Sequence, residues 1–232
     1  TASGMILPDD YLKAVAEAVQ SVGGLFVLDC IASGTVCVDM KALGIDVLIS
    51  APQKGWSSSP CAALVMLNAS AMEQMDKTTS NSLSCDLKKW HQIMQAYENG
   101  GHAYHATMPT DALSQFCEAM LESKEYGFDK LKTEQIELGQ KVRDMLERKG
   151  VKSVAADGFK APGVVVSYTQ DSNVQNTRKF TEQGMQAAAG VPLMCDEGDD
   201  FKTFRLGLFG LDKLHNHERT LAKLEQVLNK II

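Results

Sequence analysis

Lys54 stands alone between two apolar runs in VLISAPQKGWSSSPCAALVML (47–67), where a buried strand should give way to a loop. An amine leaving a strand commonly points into water. Partly desolvated, it can instead have its pKa lowered far enough to attack a carbonyl carbon. Asp29 closes the earlier run LFVLD. Its carboxylate could cap its own turn or, if buried, hold a heteroaromatic ring nitrogen protonated so that the ring accepts electrons. Arg205 sits inside the apolar run TFRLGLF. A guanidinium there needs an anion to grip, and Glu197, another acid or a substrate could supply it.

Other chemistries find less support. His102 and His105 stand three apart, which suits a metal only on a helix, and the glycines before them argue for a loop, so no metal site is expected. No GxGxxG follows a strand and no GxxxxGK[ST] occurs, which sets aside dinucleotide and P-loop sites. There is no GxSxG elbow either.

The candidate groups need a scaffold that ends several strands at one edge. Residues 8–22 read as a helix opened by Pro8, Asp9 and Asp10 and stopped by Gly23 and Gly24. The apolar runs 25–30 and 46–52 are joined by a crossover with a helical turn at 38–43, the pattern of parallel strands covered on both faces. Asp29 and Lys54 then lie at neighbouring strand ends, outside which open α/β sheets bind ligands. A third strand is expected at 61–67 and a helix from 86 to 101. A long helical stretch from 110 to 149 should break near Gly127. Beyond it lie a strand at 163–169, a helix at 174–189, a strand at 201–209 and a terminal helix with Leu221, Leu224, Val227, Leu228 and Ile231 on one face. The fold class is α/β. A mainly parallel sheet with helices on both faces occupies residues 1–126, and a smaller α+β domain residues 127–232.

With 232 residues, 44% apolar and 22% charged, the chain has the composition of an ordinary globular protein. Its formal charge of -6 and the lack of a Lys/Arg cluster argue against a nucleic-acid footprint, so a small-molecule partner is expected. Six cysteines without a CxxC pair, mostly in apolar runs, read as reduced, buried packing thiols. No run approaches the roughly 20 apolar residues of a membrane helix. A soluble, cytoplasmic protein with no membrane partner is expected.

TASG (1–4), LFVLD, SAPQK with Lys54, YHATMP (104–109) and FRLGLFG around Arg205, taken together and in this order, resemble the class V aminotransferases of the pyridoxal-phosphate fold type I superfamily. The nearest group is the alanine-glyoxylate and serine-pyruvate aminotransferases. The resemblance runs over essentially the whole chain and implies pyridoxal 5'-phosphate as cofactor. It implies that Lys54 forms the Schiff base and shuttles a proton, and that Asp29 keeps the pyridine nitrogen protonated. Thr1 would approach the phenolic oxygen, and Gln53 the phosphate. Tyr104 and Thr107 would reach the phosphate in the neighbouring subunit, which implies a homodimer with shared active sites. Arg205 would clamp the substrate α-carboxylate. The implied reaction moves an amino group from a small amino acid, alanine or serine, to a 2-oxo acid, glyoxylate or pyruvate. Trp56 and Phe209 could line the side-chain pocket or be core aromatics.

Family members carry a long region before the TASG position, with the first strands of the sheet, a phosphate loop at a helix N-terminus and an aromatic that stacks on the ring. This chain is accordingly expected to be the C-terminal part of such an enzyme, to bind the cofactor poorly by itself, and to expose a sheet edge. Two other readings stay open. One is a catalytically silent fragment. The other is a cysteine desulfurase-like lyase using Cys195, whose acidic neighbours disfavour a thiolate.

Overall fold

The computed structural model describes residues 1–33 and 35–232. Among them no helix is long and apolar enough to cross a membrane. Helix α1 (Asp9–Ser21) buries Leu12 and Ala16 in a small core with Phe26, Leu43, Ile45 and Leu48. Strands β1 (Val27–Asp29) and β2 (Val47–Ser50) pair in parallel, with Asp29 opposite Ile49. Strand β3 (Leu64–Leu67) runs antiparallel to β2, because the link between them holds turns and no crossover helix. Within the expected α/β arrangement, then, one strand pair is parallel and the next is not.

Asp46 ties this layer together. Its buried carboxylate accepts hydrogen bonds from the Phe26 backbone N–H (2.7 Å) and the Asn68 side-chain amide (2.8 Å). Asn68 in turn caps helix α2 (Ala69–Lys77) by accepting the Ala71 N–H. That helix was not expected. It buries only Ala71, so its sequence shows no apolar stripe, and its start is set by the Asn68 cap.

Helix α3 (Leu87–Glu98), capped by Asp86, buries no residue at all. Helices α4 (Thr110–Tyr126) and α5 (Phe128–Arg148) are separated at Gly127, whose φ of 100° lies in the region open to glycine. Leu131, Leu138, Val142 and Leu146 form the buried face of α5 at helical spacing. On the same face the Gln135 amide donates to the carbonyls of Pro162 (3.3 Å) and Leu208 (3.4 Å), and Arg143 donates to that of Ala161 (2.5 Å).

The second sheet consists of β4 (Val164–Tyr168), β5 (Ala188–Ala189) and β6 (Thr203–Gly207), all antiparallel, in the order β4-β6-β5. Between β4 and β5 the single helix expected over 174–189 is instead two short ones, α6 (Ser172–Gln175) and α7 (Arg178–Glu182). Thr177 turns left-handed (φ 65°) and Asn176 accepts the Arg178 N–H, which restarts the helix. Gly184 (φ 70°) follows the second helix, and Ala188 and Ala189 join the sheet. Helices α8 (Leu211–Leu214) and α9 (His217–Ile231) complete the chain. In the larger core Leu224, Leu228 and Ile231 pack with Phe180, Phe204 and the α5 face.

The two halves meet along the N-terminal segment. The Ile6 N–H donates to the Phe159 carbonyl (2.8 Å), and the Ala161 N–H to that of Gly4 (2.9 Å). Gly4 has φ 84°, and a Cβ there would lie 2.7 Å from Val166 Cγ2, so both backbone and space demand glycine. The cysteines correct an expectation. All six are free, but Cys30 and Cys61 are only half-buried and Cys37, Cys85, Cys117 and Cys195 are exposed, since five of them lie in loops between elements and Cys117 is on an exposed face of α4.

Candidate active site

Asp29 sits at the carboxyl end of β1. Its Oδ1 accepts the Ile31 backbone N–H at 2.8 Å, a local turn that orients the carboxylate and leaves its second oxygen without a hydrogen bond among the described residues. The side chain is exposed, not buried as the sequence suggested, because β1 is an edge strand of the three-stranded sheet.

One strand over, β2 runs into a turn at 52–56 that carries Lys54. The Ser57 N–H donates to the Lys54 carbonyl (3.0 Å) and the Ser58 N–H to that of Pro52 (3.1 Å). Trp56 stands edge-on to Phe116 of α4 and Phe128 of α5, with ring centroids 6.0 and 6.1 Å apart. Lys54 is half-buried, and no hydrogen bond or ion pair involves its Nζ among the described residues. Gln53 beside it is exposed.

Arg205 lies mid-β6, opposite Val166 and Ala188, half-buried, with its Nε donating to the Ala189 carbonyl at 2.7 Å. Glu197 does not pair with it. That carboxylate accepts the backbone N–H groups of Leu193 (2.5 Å), Met194 (3.1 Å) and Cys195 (2.9 Å), and these bonds, led by that of Cys195, hold its pKa down to about 2. The outer nitrogens of Arg205 meet no carboxylate among the described residues. The loop after β6 comes back to the lysine turn, where a Cβ on Gly210 would be 3.4 Å from Ser57 Oγ.

Thr1 Oγ1 lies 3.3 Å from Ser33 Oγ. Thr1, Asp29 and Ser33 line a cleft of about 440 Å³ whose far wall includes Lys132 and Arg143 of α5. Tyr104 and Thr107 share a hydrogen bond of 3.2 Å in the segment between α3 and α4, and Tyr104 is 71% exposed. The fold thus gathers Thr1 with Asp29 at one cleft, and brings the Lys54 turn against the loop that follows Arg205. Tyr104 and Thr107 form an outward pair with no hydrogen bond to either group. Of the other candidates, His105 bonds the Leu83 carbonyl (2.9 Å) against Trp90, and His102 lies edge-on to Tyr97. Sequence reasoning missed Ser33, whose only signal is a hydroxyl four residues after Asp29.

The donor set fits pyridoxal phosphate. Lys54 offers an amine with no hydrogen bond or ion pair among the described residues, Asp29 a carboxylate with one oxygen unbonded among them, and Thr1, Tyr104 and Thr107 offer hydroxyls, the donor and acceptor types that an aldehyde, a ring nitrogen and phosphate oxygens need.

No family model matches the chain. Over 129 residues it is 32% identical to a 2-aminoethylphosphonate--pyruvate transaminase of Syntrophobacter fumaroxidans, covering 55% of this chain and 33% of that protein. A protein of the same name from Vibrio cholerae is 25% identical over 234 residues, 98% of this chain and 60% of its own length. The chain therefore spans between a third and three fifths of these curated relatives. Among solved structures, alanine--glyoxylate aminotransferase from Nostoc sp. superposes with a TM-score of 0.78 at 21% identity, covering 98% of this chain and 59% of that one. Ureidoglycine-glyoxylate aminotransferase from Bacillus subtilis gives 0.75 at 22%, over 99% and 58%. The chain shares the fold of these aminotransferases, the pyridoxal-phosphate fold type I, and is similar in sequence to the named transaminases over up to about three fifths of their length.

Proposed function

We propose that this chain carries the lysine-bearing part of a pyridoxal-phosphate-dependent aminotransferase. The observation that supports this most is the half-buried Lys54 amine, without a protein partner among the described residues, one parallel strand away from Asp29. When bound, the cofactor supplies an aldehyde for amines and a ring that accepts electrons. Lys54 Nζ would hold the cofactor through its aldehyde carbon and, when released from it, would serve as the base that takes the proton from the donor's Cα. Asp29 offers its unbonded carboxylate oxygen to the ring nitrogen. Thr1 offers its hydroxyl to the phenolic oxygen, and Gln53 its amide to the phosphate. Residues 1–126 form part of the cofactor-binding domain and residues 127–232 the small domain.

Tyr104 and Thr107 bond each other on the exposed surface and make no hydrogen bond to Lys54 among the described residues, and α3 beside them buries no residue. Both features support a homodimer in which this pair reaches the phosphate of the partner's site. Six free thiols suit a reducing compartment such as the cytoplasm.

Arg205 grips the substrate's anionic end through the nitrogens that Ala189 leaves open. The acceptor is a 2-oxo acid, pyruvate or glyoxylate. The donor is a small amino acid, alanine or serine, and the names of the curated relatives add 2-aminoethylphosphonate, whose phosphonate a guanidinium can also hold. Assays at saturating pyridoxal phosphate separate these. Glycine formed from alanine and glyoxylate supports the amino-acid donor, and alanine formed from 2-aminoethylphosphonate and pyruvate supports the phosphonate. Sulfide released from cysteine without any 2-oxo acid would replace the reading with that of a lyase.

A further inference from the structure

We propose that Ser33 is a positioning residue that aims the Thr1 hydroxyl at the cofactor's phenolic oxygen, an inference that rests on the reading of the site given above. Ser33 is 6% exposed, a buried polar side chain in an otherwise half-buried stretch, and its Oγ lies 3.3 Å from Thr1 Oγ1. Its backbone N–H donates to the Cys30 carbonyl (3.2 Å), which fixes the hydroxyl at the end of β1 where Asp29 also stands. All three side chains face the same cleft. A hydroxyl has one proton to give. If Thr1 spends it on Ser33, nothing is left for a ligand. With Ser33 as donor, Thr1 accepts from behind and its own proton is free to point into the cleft.

A hydroxyl donated to the phenolic oxygen stabilises its anionic form, so losing that donor makes the oxygen hold a shared proton more tightly. The test is an absorbance titration of the full chain loaded with pyridoxal phosphate. Thr1→Ala should move the titration midpoint to higher pH, and Ser33→Ala should move it in the same direction. The double variant should shift no further than Thr1→Ala alone, since both substitutions remove one donor. Ser33→Thr keeps the hydroxyl and should hold the wild-type midpoint. A midpoint unmoved by Ser33→Ala while Thr1→Ala shifts it, or shifts that simply add, would overturn the role of Ser33 and leave the site reading standing. A wild-type chain with no titrating band would overturn the site reading, and this inference with it.

Discussion

At the scale of single residues, Lys54 and Arg205 have no carboxylate partner among the described residues. Glu197, which could have paired with Arg205, instead accepts backbone N–H groups of its own loop. Replacing Arg205 with Lys removes the planar fork while keeping the charge. It should raise KM for the 2-oxo acid with a loss in kcat/KM of roughly 10- to 100-fold, the worth of a charge-assisted hydrogen bond, and steady-state kinetics would show it. Glu197 makes a separate prediction about pH. Its folded pKa lies below that of a free carboxyl, at about 2. Its hold on the loop is therefore present above the ordinary carboxylate range and is lost only as pH falls through about 2. Hydrogen exchange at the amides of residues 193–195 should stay protected on acidification until that point, and Glu197→Ala should remove the protection at neutral pH. Lys54 and Asp29 were legible in the sequence as polar groups at the ends of apolar runs. Whether Glu197 paired with Arg205 was not, because a loop with left-handed Met194 and Asp196 can turn a carboxylate onto its own backbone.

Elements were legible where the pattern was long. The break at Gly127 and the core face of α9 follow directly from a glycine and from apolar spacing. Short elements were not. Segment 174–189 has a helical composition, yet the Asn176 cap and the left-handed Thr177 divide it, and α2 depends on a single cap. Helix α5 is the element that joins the larger core to the candidate site, so its packing should be costly to disturb. Leu138 is fully buried on it, and Leu138→Ala should destabilise the chain by about 2–5 kcal/mol, measured by chemical denaturation. Gly4→Ala should cost about 1–2 kcal/mol from its left-handed backbone alone, and more from the clash with Val166. Because Gly4 bonds to Ala161 and its own N–H donates to the Thr1 carbonyl (2.8 Å), the same change should displace Thr1.

At the scale of the whole molecule, two sheets and two cores lie on either side of Gly127, and the α/β class with a smaller α+β part was readable from the order of the runs. The antiparallel return of β3 was not, since the direction of a strand is set by its connection and not by its composition. If Tyr104 and Thr107 serve a partner's site, mixing Lys54→Met chains with chains carrying Tyr104→Phe and Thr107→Ala should recover amino transfer that neither has alone, because a hybrid dimer holds one intact site. The central claim is that Lys54 carries the cofactor. Borohydride reduction of the full chain in excess pyridoxal phosphate, followed by peptide mass spectrometry, tests it most directly. Pyridoxyl label concentrated on Lys54, and lost from that peptide in Lys54→Met, is the predicted result. Label spread over exposed lysines, with Lys54 no richer than the rest, would contradict it.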